Sequence, residues 1–401
     1  MTVFPGWTVV AGAFVVLFTA YGAQYCFGVF FNALLEEFRW SRAGLAGVFS
    51  LYVFGYCVSG FAAGRLSDTL GPRGVIAAGG LLLGGAMAAM ATVHALWQPY
   101  VFFGVVAALG MGTAYVPCNS TVVKWFAARR GLAMGLANTG ASLGTLVLPP
   151  VAQLAVSGLG WRGAYVVFGL VVFVVVNAVA PLMRRDPATL GLYPDGATAP
   201  LPAASAEAGL SLGAALRRGT FWLLGAAYTA TWVPVFIPLV HLVPFARDLG
   251  HPPLAAATAI SALGAGALVG RLIMGWISDR IGRRATIAIS MLLQAAAFLA
   301  FTVAHDLPAL YTTAFLFGYS YGAITTLLPA IVGDLFGHAH AGTLVGFLFM
   351  LAGTISAWGP LAAGADYDAT GSYHRAFVLA AGCNVVAFGL VLACRPAARA
   401  R

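Results

Sequence analysis

Arg271 has a sequence setting that calls for a chemical partner. Seven uncharged residues, Gly264-Ala265-Gly266-Ala267-Leu268-Val269-Gly270, precede it, and the next acidic side chain is Asp279, eight positions on. A guanidinium presents its N–H donors in a rigid plane and keeps its proton. With no Asp or Glu within two helical turns on either side, the balancing anion must come from elsewhere. A carboxylate fits, because the planar fork binds it through two parallel hydrogen bonds. The competing account is an arginine that snorkels to a water interface or bonds to helix carbonyls.

Few other polar groups stand in comparable surroundings. Tyr115 and Asn119 are one helical turn apart and share a face. Asn138 and Asn384 are further amides inside apolar runs, and His241 lies within Pro238-Leu239-Val240-His241-Leu242. Histidine titrates near neutral pH, although a lone one more often packs than reacts. For each of these the bland account is a helix–helix hydrogen bond, worth about 0.6 kcal/mol on average. The remaining histidines are scattered, and His338 with His340 in one short loop is too few for a metal. No cofactor or metal is expected, and no clustered residues suggest an enzyme.

These side chains belong to a chain of 401 residues, 61% hydrophobic and 8% charged, against about 25% charged in a soluble domain. The charges fall in short bursts separated by runs of about 20 apolar residues, the length needed to cross a hydrocarbon core. That pattern excludes a soluble enzyme, a nucleic-acid binder and a disordered scaffold. It marks an all-α membrane protein embedded in a lipid bilayer. Twelve spans are expected, at 8–33, 44–64, 74–93, 99–122, 131–154, 163–183, 220–244, 254–277, 285–304, 308–332, 342–364 and 376–394. The Pro-, Ala- and Gly-rich stretch 184–218 reads as a linker, with a short surface helix expected over Leu210 to Arg218. It separates a six-helix half at 1–183 from a second at 219–401. Arg271 then sits roughly 12 Å from the end of span 8, near the midplane of a ~30 Å core. Holding it there costs at least about 2.5–3.5 kcal/mol, so it is a functional candidate by default.

Net charge is +9, but the basic residues mark span ends rather than a face for nucleic acid. With both termini on one side, 15 of the 21 basic residues fall on that side: Arg65, Arg73, Lys124, Arg129, Arg130, Arg184, Arg185, Arg217, Arg218, Arg280, Arg283, Arg284, Arg395, Arg399 and Arg401. Five (Arg39, Arg42, Arg162, Arg247 and Arg375) fall on the other. The positive-inside rule therefore puts both termini in the cytoplasm. Met1 to Trp7 has no basic n-region, so the first span is expected to be retained. The five cysteines lie in or beside apolar runs and act as small hydrophobes. Glycines in span 5 (Gly131, Gly135, Gly140, Gly144) and span 11 (Gly346, Gly353, Gly359) should let helices approach closely.

The chain also repeats itself. Gly64-Arg65-Leu66-Ser67-Asp68-Thr69-Leu70-Gly71-Pro72-Arg73 returns 211 residues later as Gly275-Trp276-Ile277-Ser278-Asp279-Arg280-Ile281-Gly282-Arg283-Arg284, with five of ten positions identical. Paired halves with a mid-membrane site are a recurring carrier architecture. The duplicated loop resembles the signature of the major facilitator superfamily. Gln24-Tyr25, the run Lys124 to Ala133, Gly160-Trp161-Arg162-Gly163 and Arg271 resemble its monocarboxylate transporter and oxalate:formate antiporter branch.

The resemblance implies a fold of twelve helices in two pseudo-symmetric halves and gives roles to particular residues. Arg271 would hold a substrate carboxylate. Tyr115, Gln24, Tyr25, Tyr321 and Phe349 match cavity-lining positions, and Asn119 joins them through its shared face with Tyr115. Asp68 and Asp279 would form a cytoplasmic latch, with Arg73, Arg129 and Arg283 as partners. The antiporters' second cation, a lysine in span 11, is matched here by Ala352. One cation in a low-dielectric site is best balanced by one negative charge, so the expected substrate is a small monocarboxylate of the lactate or pyruvate kind. The aspartate and lysine of the animal proteins are matched by Ala267 and Val29, so the coupling residue is open. A proton is the expected companion, with uniport and exchange as alternatives. No phosphate loop surrounds the single lysine, Lys124, which excludes an ATP-driven pump. The rival readings are an oxalate/formate-type antiporter, an exporter of drugs or hydrophobic solutes, and a transport-like sensor. A monomer in the inner membrane is expected.

Overall fold

The computed structural model describes residues 4–127, 129–197, 209–337 and 340–394. Arg395, Arg399, Arg401 and His338 lie outside them. Regular structure among the described residues is helical throughout. Spans 1 to 4 are Gly6–Phe38, Arg42–Leu70, Pro72–Met90 and Trp97–Trp125; spans 7 to 12 are Gly219–Asp248, Pro253–Ile281, Arg283–Phe301, Leu307–Phe336, Ala341–Thr370 and His374–Ala393. Several run past the expected edges, because a helix continues into the interfacial layer after the apolar stretch ends.

Between them lies one uninterrupted run, Arg130–Leu182, of 53 residues. At 1.5 Å per residue this would extend about 80 Å, over twice the hydrocarbon thickness. Gly160, at φ 69° and ψ 165°, breaks it into spans 5 and 6, which restores twelve crossings. That combination is essentially reserved for glycine, and a side chain there would cost about 1–3 kcal/mol. The residues that follow secure the corner. Trp161 Nε1 and Arg162 Nη1 both donate to the Glu37 carboxylate at the end of span 1, the latter at 2.7 Å, and the Arg162 guanidinium lies 4.2 Å over the Trp161 ring.

The chain divides into two compact units, Met1–Ala203 and Ala204–Arg401. Of the connecting stretch, residues 198–208 lie outside the described residues. The helix expected over Leu210 to Arg218 is only one turn, Leu212–Ala215, capped by Ser211. It is too short for a stable surface helix, because the chain turns at Leu216 and Arg217 and span 7 begins at Gly219.

Within each unit the usual arrangement of polar and apolar groups is inverted. On span 6 the exposed residues Val166, Val167, Leu170, Val171 and Val174 recur with helical spacing and form a lipid-facing stripe. Thr231, Gln294 and Asn384 are by contrast fully buried. The Thr231 hydroxyl donates to Asn384 Oδ1 at 2.6 Å and lies 3.0 Å from Gln294 Oε1, joining spans 7, 9 and 12. Asn384 is thus part of a structural cluster.

Glycine seams set the closest approaches. In the first unit a side chain at Gly140 or Gly144 would collide with the carbonyls of Phe14 or Phe18 on span 1, whereas Gly131 and Gly135 face open space. The expected span 5 stripe is therefore half used. On span 11, Gly359 abuts the Val233 carbonyl and Gly346 abuts nothing. Three spans break in mid-course: span 1 at Cys26, span 7 at 233–235 and span 11 at Ala357.

Candidate functional site

Arg271 is positioned by the seam between spans 8 and 10. A side chain at Gly266 would strike Phe315 and Tyr319, one at Gly270 would strike Tyr319, and ones at Gly318 and Gly322 would strike Leu263 and Ala267. The partner numbers rise together, so the helices run parallel. Arg271 follows the contact residue Gly270, and Tyr321 precedes the contact residue Gly322. On parallel helices, one step forward from the contact on one and one step back on the other turn both side chains to the same side. Both residues are half-buried, and the Arg271 Nε is buried. Tyr321 lies parallel to the buried Phe317 ring, with centroids 6.4 Å apart. The seam thus pairs a cation with an aromatic hydroxyl, which can bind an anion with a polar tail.

Phe349 on span 11 packs edge-on against Trp232 on span 7, with centroids 5.0 Å apart. Ala352, one turn further on, is 2% exposed. Nothing in the sequence singled out Trp232, whose ring is 5% exposed and whose Nε1 has no hydrogen-bond partner. His241 is fully buried, with Nε2 2.9 Å from the Pro360 carbonyl and Nδ1 3.0 Å from the Tyr373 hydroxyl. A carbonyl only accepts, so Nε2 carries hydrogen, and in the neutral ring Nδ1 then accepts from tyrosine.

The first unit gathers a second set. Tyr25 and Tyr115 both pack against Tyr21, at 6.0 Å and 6.3 Å between centroids. Asn119 Nδ2 donates to the Tyr115 carbonyl at 2.9 Å, and Asn138 Nδ2 donates to Asn119 Oδ1 at 2.7 Å. Gln24 is 1% exposed; its Oε1 lies 3.5 Å from the Tyr52 hydroxyl, and its Nε2 is buried without a hydrogen-bond partner. Gln24 and Tyr25 stand immediately before the span 1 break at Cys26. The expected residues of spans 1 and 4 are therefore neighbours, with Tyr21 and Tyr52 added and the candidate amide Asn138 joined to Asn119.

The repeated loops are ion-paired within their own units. Asp68 Oδ1 accepts from Lys124 at 2.6 Å, and its carbonyl accepts from Arg185. Arg73 is exposed with no ion pair among the described residues, and the backbone N–H of Arg129 donates to Asp195 Oδ1 at 3.3 Å. Neither meets Asp68, because Lys124 on span 4 ends beside it. Asp279 does pair with Arg283, at 2.5 Å, and Arg283 Nε also lies 3.7 Å from Asp334 Oδ2. Lys124 and Asp334 are the loop partners that the sequence reading left out. Both lie close to a span end on the same side as the aspartates, which is the signal that was available.

Twelve crossings, a repeated basic loop and a mid-span arginine on a glycine seam define a polytopic carrier of duplicated six-helix halves. The sequence pattern of the Major Facilitator Superfamily matches residues 13–244 and 226–401. Monocarboxylate transporter 13 of Rattus norvegicus is 30% identical over 394 residues, covering 96% of this chain and 88% of that protein. Monocarboxylate transporter 12 of Homo sapiens is 29% identical over 406 residues, covering 93% and 77%. Among solved structures, a bacterial homolog of the human lysosomal transporter Spinster, inward-facing and occupied, aligns with a TM-score of 0.76 at 17% identity over 96% of both chains. The nucleoside transporter NupG aligns at 0.76 and 12% identity, over 96% of this chain and 99% of that one. The chain belongs to the Major Facilitator Superfamily and, within it, to the monocarboxylate transporters. It is a multi-pass membrane transporter.

Proposed function

We propose that this transporter moves a small monocarboxylate of the lactate or pyruvate kind by alternating access, together with a proton. The observation that carries the reading is Arg271, placed by the glycine seam on the same side as Tyr321, with no acid within two turns of its helix. A substrate carboxylate balances that charge, and Tyr321 and Phe349 limit its size. Gln24, Tyr25, Tyr115 and Asn119, all in the first unit, are the further residues proposed to contact substrate. The names of the relatives, monocarboxylate transporters 12 and 13, support this substrate class. A buried Ala352 in place of a second cation favours one carboxylate over two, and so favours this reading over an oxalate-type antiporter. Asp68 with Lys124, and Asp279 with Arg283 and Asp334, act as latches at the cytoplasmic ends.

The test is uptake of radiolabelled L-lactate into proteoliposomes by wild type, Arg271→Ala and Arg271→Lys, with and without an inward proton gradient. Wild-type uptake stimulated by the gradient and lost in both variants is the expected result; lysine fails because a point charge cannot replace the bidentate fork. Uptake indifferent to Arg271 would move the exporter reading ahead.

A further inference from the structure

Trp232 is a large, buried side chain whose polar atom is left unsatisfied. The ring is 5% exposed and packs against Phe349 at 5.0 Å and Phe236 at 6.3 Å between centroids. Its Nε1 is buried and makes no hydrogen bond. Buried indole N–H groups normally find an acceptor, and one without calls for an explanation.

Its place in the fold supplies one. Span 7 is helical over Gly219–Trp232, breaks at 233–235 around Pro234, and resumes at Phe236. Trp232 is therefore the last residue before the break in the first span of the second half. The first span of the first half breaks in the same region, at Cys26 after the helix Gly6–Tyr25. The 211-residue offset of the repeat matches Trp232 to Tyr21, the ring that packs against Tyr25 and Tyr115, two residues that the sequence had already marked as cavity-lining. Span 11 covers the span 7 break from two positions, with Gly359 against the Val233 carbonyl and Phe349 against the Trp232 ring. Counted along their helices, Trp232, Phe349 and Arg271 all lie roughly 12–20 Å from the span ends on one side, within the same layer of the bilayer.

We propose that Trp232 is a specificity residue whose indole N–H donates to a second oxygen on the substrate, the hydroxyl or keto group on the carbon next to the carboxylate. The inference rests on the carboxylate reading of Arg271. The guanidinium fork occupies both carboxylate oxygens, which leaves that neutral oxygen as the acceptor for a neutral donor held among aromatic rings. An acid without it leaves the N–H unpaired, and a site built around a hydrogen bond rejects such analogues.

Proteoliposome uptake of L-lactate and of propionate, which lacks the 2-oxygen, separates the two claims. In Trp232→Phe the preference for L-lactate over propionate, as the ratio of Vmax/KM values, is expected to fall about tenfold, the equivalent of one lost hydrogen bond. In Arg271→Ala uptake of both acids is expected to vanish. A lactate-to-propionate ratio unchanged by Trp232→Phe overturns the inference and leaves the Arg271 reading standing. Uptake of both acids unaffected by Arg271→Ala overturns the reading beneath it. If Trp232→Phe does not fold, the wild type carries the test through its 15N-labelled indole groups in detergent. One N–H resonance should shift on adding L-lactate and not on adding propionate; a spectrum in which none does so overturns the inference.

Discussion

A side chain's chemistry at mid-membrane is fixed by what it lacks as much as by what it touches. Arg271 was legible because a charge with no acid within two turns is expensive in hydrocarbon. Trp232 was not, because an indole in an apolar run is unremarkable until packing shows that its N–H is buried and unbonded. Lys124 escaped for a related reason: which basic residue meets Asp68 depends on where two helices end in space. Ala352 permits a sharp test at this scale. A lysine at this 2%-exposed position adds a second cation, and a buried, unpaired ammonium is costly unless an anion balances it. Ala352→Lys should therefore shift competition profiles from monocarboxylates toward oxalate and malonate. Unchanged inhibition constants for the two classes would remove Ala352 from the site. The Lys124–Asp68 pair is half-exposed, 37% and 58%, so its coupling should stay below about 1 kcal/mol in a double-mutant cycle on thermal stability. Its effect belongs in transport rate.

Elements were easier to read than their joints. Long apolar runs announce helices, and all twelve crossings follow from them once Gly160 breaks the 53-residue run. The break at Cys26 leaves no comparable trace, because hydropathy is blind to a lost backbone hydrogen bond, whereas those at 233–235 and Ala357 are marked by the nearby prolines Pro234 and Pro360. The glycine stripes were half legible. Spacing identified Gly140 and Gly144 together with Gly131 and Gly135, yet only the first two abut a neighbouring backbone. Contact is decided by which face the partner helix occupies. The same distinction governs span 8. A methyl at Gly270 meets the Tyr319 backbone, whereas one at Gly275 meets nothing within 4 Å. Gly270→Ala should lower the thermal midpoint in detergent by the equivalent of about 1–3 kcal/mol, the usual cost of overpacking. It should also raise KM, because the seam aims Arg271. Gly275→Ala should do neither, and similar losses in both variants would remove the seam as the positioning device.

At the scale of the whole molecule, orientation is the property that the sequence states most directly, through charge. Fifteen of 21 basic residues fall on one side of the twelve-span topology and five on the other, a bias that the positive-inside rule converts into a direction. Among the described residues the helical bounds keep this assignment intact, since none of the spans ends far enough from its expected edge to move an arginine across the bilayer. Thr69 and Thr92 are both exposed, at opposite ends of the span 3 hairpin, so the direction can be checked from two positions a single crossing apart. Four of the five native cysteines are buried and Cys383 is half-buried, which keeps background labelling low, and replacing all five with alanine removes it. In intact cells a membrane-impermeant maleimide should label Thr92→Cys at once and Thr69→Cys only after lysis. The reverse order would invert the molecule, place the Asp68 and Asp279 loops outside, and turn the proposed cytoplasmic latches into outer ones. Labelling of both in intact cells would deny that span 3 crosses at all. Because the two halves share the repeated loop and an even number of spans, the answer for span 3 also fixes span 9 and both termini. One pair of variants therefore orients the entire chain, and with it the direction from which a proton gradient must act on Arg271-dependent uptake.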